Sequence, residues 1–75
     1  MVTNVYTVPG MACRHAVAAL TRQISMLRGV MGVGVDHLGA DRAEFRVVSR
    51  GPGYAADVRS AVREAGYEIA EAGEL

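Results

Sequence analysis

Residues 8–30 read VPGMACRHAVAALTRQISMLRGV. Pro9 and Gly10 break the chain after TNVYTV (3–8), a segment rich in β-branched and aromatic residues that predicts a strand. Past the break, Val17, Leu20, Ile24 and Leu27 recur at steps of three and four, which places one apolar stripe of a helix against a core. Gly29 stands where a helix would stop. Cys13, the single cysteine of the chain, falls between the Pro-Gly break and the helix.

Beyond Gly29, VMGVGVDH sets Met31, Val33 and Val35 against Val30, Gly32 and Gly34, which predicts a strand with one apolar face. Gly39 marks a turn, and RAEFRVV is a third strand. The same order then returns. Pro52 and Gly53 end the strand, and YAADVRSAVREA predicts a helix with Val58, Ala61, Val62 and Ala65 on one side. Gly66 closes that helix, and YEIA (67–70) reads as a short last strand. Each half is strand, Pro-Gly, helix, Gly, strand. The order βαββαβ with short links predicts an α+β, ferredoxin-like sandwich: a four-stranded antiparallel sheet with two helices on one face. Residues 1–75 form one domain on this reading, because each half leaves its helix stripe bare until the halves pack together. The topology brings the end of the first strand with Cys13, the hairpin around His37, and Tyr67 to one end of the molecule.

A 75-residue chain buries only about 60% of its unfolded surface, so almost every apolar residue is needed for the core. Tyr6, Phe45, Tyr54 and Tyr67 are the only aromatics. Little remains to enclose a pocket, no acid, base and nucleophile gather around Cys13, and no Gly-rich phosphate loop is present; the chain does not read as an enzyme. One cysteine excludes an internal disulfide. No basic cluster followed by an apolar stretch precedes Val17, and the apolar run Gly29–Val35 falls far short of the roughly 18 residues of a membrane span. These features point to a reducing, cytoplasmic setting. Residues 1–35 hold Arg14, Arg22 and Arg28 and no acid, a charge of +3, while residues 36–75 hold five arginines against eight acids, a charge of −3. No basic patch is dense enough for nucleic acid.

GMACRHAVAALTRQISMLRGV resembles the heavy-metal-associated domain of small copper chaperones and of the N-terminal domains of metal-transporting P-type ATPases. The family pattern is Gly-Met-x-Cys-x-x-Cys, a helix, then Leu-x-Gly-Val. Gly10, Met11, Cys13, Leu27, Gly29 and Val30 match it without a gap, and AVREAGYEIA resembles the family's last helix, loop and strand. The resemblance implies the same fold as the periodicity, with Met11 tucked beneath the metal loop and Tyr67 bordering the metal. One position departs: the second cysteine belongs at residue 16, which is alanine. His15 stands just before it, so the loop reads Cys-Arg-His-Ala.

The loop retains soft-metal chemistry. Thiolate is the preferred ligand of Cu(I), and imidazole is tolerated. A thiol at a helix N-terminus has its pKa lowered by the dipole, and Arg14 adds positive charge beside it. Cys13 and His15 are therefore the candidate metal ligands. Three arrangements follow from a single thiolate: a Cys13–His15 site, one metal shared by Cys13 of two chains, or loose holding and handover to a partner's cysteine pair. Silver(I) and mercury(II) suit the same thiolate; zinc, which prefers four ligands, suits it less well. The expected partners are a metal-transporting ATPase or one of its domains, another metal chaperone, or a second copy of the chain. The arginines of the first helix would meet an acidic partner. If the missing cysteine marks a lost site, the domain serves instead in docking or regulation. His37 reads as a solvated turn residue, and Met26 and Met31 as packing residues rather than a copper-binding pair.

Overall fold

The computed structural model describes residues 1–11 and 13–74; Ala12, inside the Cys13 loop, lies outside the described residues. The elements are β1 (Val2–Pro9), α1 (Arg14–Ser25), β2 (Val30–Leu38), β3 (Arg42–Ser49), a 3₁₀ turn (Pro52–Tyr54), α2 (Ala55–Glu64) and β4 (Glu71–Glu74). The strands pair antiparallel in the order β2-β3-β1-β4. This is the ferredoxin-like βαββαβ sandwich.

Alternation explains the core. Tyr6 and Val8 of β1 lie opposite Phe45 and Ala43 of β3, and all four are buried. Onto them pack Val17, Leu20 and Ile24 of α1 and Val58, Ala61 and Val62 of α2. The helix stripes are those expected from the spacing, except that α1 stops at Ser25 and is capped at Met26. Leu27 still packs on the core from the following turn. Gly29 therefore ends the turn rather than the helix. Its φ is +89°, and a Cβ at this position would run into the Tyr54 ring. No helix among the described residues is long and apolar enough to cross a membrane.

Two expectations need correction. The last strand is residues 71–74, not 67–70. Gly66, at φ +92°, closes α2: its N–H donates to the Arg63 carbonyl oxygen at 2.9 Å, and the Tyr67 N–H donates to Val62 O at 3.1 Å. This is a Schellman closure. Tyr67 and Ile69 both face the core, which imitates strand alternation, but the segment crosses the end of α2. Pairing with β1 begins only where the Ala70 N–H donates to Thr7 O at 2.8 Å.

The second correction concerns β2, whose register with β3 slips between Val30 and Gly32 and again between Val35 and His37. An extra residue in a strand reverses the inside-outside sequence beyond it. Val30 and Val33 thus both pack on the core and Met31 is left 59% exposed, while Val35, opposite buried Phe45, reaches solvent because β2 is the edge strand. Met26 is 78% exposed. Neither Met26 nor Met31 is a packing residue.

Candidate metal site

At the end of β1, the chain turns at Gly10 (φ +79°), whose N–H donates to Asp41 O at 2.7 Å. This bond ties the loop to the β2–β3 hairpin. Met11 follows and is fully buried, as the resemblance implied. On the far side of the loop, Val17 and Leu20 are buried and Ala16 is half-buried against the core. Between these two anchors Cys13, Arg14 and His15 are all exposed. The loop is held at both ends by apolar burial and presents its polar middle to solvent.

Cys13 is the N-cap residue of α1, with extended backbone (φ −93°, ψ 129°). An N-cap side chain normally accepts from the amides of the first turn. A neutral thiol does this poorly, and no full side-chain capping bond is made. The Ala16 amide, and after it the His15 amide, nevertheless lies close enough to stabilise a thiolate and pulls the Cys13 pKa below its ordinary value, against a smaller opposing effect of desolvation. The cause is the backbone of the first turn rather than the charge of Arg14. Sequence reading found the helix end but missed these two amides, because their aim depends on the N-cap dihedrals.

A prediction follows with a definite sign. The thiol of the folded chain should titrate at lower pH than that of the chain unfolded in urea, read by thiolate absorbance or alkylation rate. The thiolate fraction in the fold is lost only as pH falls through the lowered folded value. Coincident titrations of the two states would contradict the cap geometry.

His15 lies in the first turn two residues from Cys13, a spacing that does not by itself bring two helical side chains face to face. His37 lies on β2 opposite Glu44, exposed, at the hairpin end. Tyr67 is half-buried against the core at the C-terminal end of α2. Arg14 and Arg22 are exposed on α1, whereas Arg28 sits beyond it in the turn to β2. The three therefore do not share one helix face. Among the described residues, the ion pairs join Arg46 to Asp36 at 2.9 Å and Arg42 to Glu44 at 3.8 Å, so none involves Arg14, Arg22 or Arg28. Nor, among the described residues, do three or more His, Cys, Asp or Glu side chains gather as a metal cluster.

No family model matches the chain. Over 62 residues it is 34% identical to the COP-associated protein of Helicobacter felis, covering 83% of this chain and 89% of that protein. Among solved structures, the yeast copper transporter domain Ccc2a, determined in apo and Cu(I)-loaded states, superposes with a TM-score of 0.76. That match covers 100% of this chain and 96% of the yeast domain at 17% identity, a likeness of fold.

Proposed function

Because the chain belongs to the family of the COP-associated protein, we propose that it binds and hands on a soft metal ion, Cu(I), through Cys13 with His15 assisting. The observation that carries this reading is the Cys13 loop itself: an exposed thiol, drawn toward thiolate by two first-turn amides, on a loop anchored by buried Met11 and Val17. A copper transporter domain shares the fold. Thiolate selects Cu(I) over harder ions, and the first-turn amides favour the thiolate form of Cys13 that binds it. A site with one thiolate and one imidazole releases metal more readily than a dithiolate, which suits a carrier. Zinc is disfavoured because this loop, with one cysteine and one histidine, offers too few ligands to close a tetrahedron; silver(I) and mercury(II) would occupy the same thiolate.

In this role the domain is not an enzyme. It acts in the cytoplasm, on a metal-transporting ATPase or another chaperone. Arg14 and Arg22, exposed and in no ion pair among the described residues, steer that encounter, and Tyr67 shields the loop from the α2 side. A second copy is the other partner this loop admits, with one metal between two Cys13 thiolates.

The test is an anaerobic Cu(I) titration against a coloured chelator, with stoichiometry from native mass spectrometry. The expected result is copper binding that disappears in Cys13→Ser and weakens in His15→Ala. One copper per chain indicates the Cys13–His15 site, and one per two chains the shared pair. A wild type that competes no better than Cys13→Ser removes the metal reading and leaves a docking module.

A further inference from the structure

We infer that the turn between α1 and β2 holds a second soft-metal site, made by the thioethers of Met26 and Met31, at the end of the domain opposite Cys13. Three observations lead there. First, two of the four methionines flank one turn and face solvent, 78% exposed at Met26 and 59% at Met31, although a chain this small needs its apolar side chains inside. Second, the turn is held on both sides by hydrogen bonds and packing. The Val30 N–H donates to Leu27 O at 3.2 Å across Leu27-Arg28-Gly29-Val30, and Gly29 has the positive φ a type II turn needs at its third residue. The Arg50 N–H donates to Gly29 O at 2.9 Å, and the Tyr54 ring covers Gly29 where a Cβ would stand. Third, the register slip leaves Met31 without a partner on β3 and turns it out of the core.

Such a turn brings its first and last Cα atoms within about 7 Å. Leu27 and Val30, those first and last residues, both pack on the core. Met26 and Met31 stand one step outside them. Each has three rotatable bonds and a polarizable sulfur, enough reach to close on one ion. Two neutral thioethers match Cu(I) or Ag(I) and not a hard cation. Arg28, exposed at the second turn position, opposes any cation by its charge. The site therefore holds metal through soft bonding alone, weakly and exchangeably. It is independent of Cys13: Cys13 and Met26 cap opposite ends of α1, roughly 20 Å apart.

The experiment uses the 75-residue chain as Cys13→Ser, so failure here leaves the Cys13 reading untouched. Ag(I) alone is added while the methionine methyl groups, isotope-labelled, are followed by NMR. The Met26 and Met31 methyls should move together and that of buried Met11 should not. Met26→Leu, which keeps an apolar side chain in place, should abolish the Met31 shift and weaken Ag(I) binding about tenfold, equivalent to roughly 1.4 kcal/mol; Met31→Leu should do the same to Met26. Methyls that stay still, or a Met31 shift that survives Met26→Leu, overturn the paired site.

Discussion

Phe45→Ala should cost about 4 kcal/mol, a large share of what holds the chain folded. Phe45 has no solvent exposure and lies at the centre of β3, with Tyr6 opposite it on β1 and Val35 opposite it on β2. Removing a buried phenyl forfeits its transfer free energy and leaves a cavity, about 3–5 kcal/mol together. The sheet cannot collapse into the space, because its register is pinned by strands on both sides. A folded domain of this length has only roughly 4–11 kcal/mol of stability in total. Urea unfolding checks this: the midpoint should fall steeply in Phe45→Ala, while Phe45→Leu, which fills most of the volume, should cost only about 1.5 kcal/mol. A midpoint within error of wild type for Phe45→Ala would mean that the core is not centred on β3.

The order of elements was legible because three physical signals agreed. Periodicity of 3.6 marked both helix stripes, and Val17, Leu20, Ile24, Val58, Ala61 and Val62 are all buried as that period requires. Pro-Gly breaks marked both strand ends. Glycines with positive φ at 10, 29 and 66 stand at three of the connections. The failures have one cause in common, which is that burial and hydrogen-bond pairing are different things. Tyr67 and Ile69 are oriented inward like strand residues, yet their backbone makes the helix closure and the crossing. Met31 alternates correctly in sequence but falls at a register slip, which depends on where β3 pairs and not on β2 itself. Local pattern reports which way a side chain points on an ideal strand; it does not report an extra residue in the ladder.

The candidate site was legible in its positions and illegible in its electrostatics. Cys13, the hairpin around His37 and Tyr67 could be placed at one end from topology, and the resemblance put Met11 beneath the loop. That Met11 is a buried anchor and Cys13 an exposed N-cap agrees with that reading. What lowers the thiol pKa is finer. Arg14 was the visible charge, but an exposed guanidinium is screened by water, whereas an amide N–H at the N-cap is fixed in place. The Ala16 and His15 amides carry no sequence signature beyond being two and three residues past the cap.

That same geometry makes residue 16 the most informative position to change. Ala16→Cys should tighten Cu(I) binding about a thousandfold, equivalent to roughly 4 kcal/mol. The N-cap and the third helical residue are neighbours on one side of the first turn, which is why the Ala16 amide is the larger of the two influences on Cys13. A thiol on the Cβ of residue 16 therefore enters beside the Cys13 sulfur, and the same helix end favours its ionisation. Ala16 is half-buried, so one added sulfur lies at the rim of the core and should leave the unfolding midpoint nearly unchanged. Two soft thiolates then replace a thiolate and an imidazole, the stoichiometry becomes one copper per chain, and His15→Ala made in the Ala16→Cys background should no longer matter. Competition titration of the reduced variant under anaerobic conditions reads all three. A gain below tenfold, in a chain that still folds, would mean that the first turn does not hold residues 13 and 16 where one ion can bridge them. If the gain appears together with the loss of His15 dependence, the wild-type loop is a presented metal site weakened by a single missing sulfur.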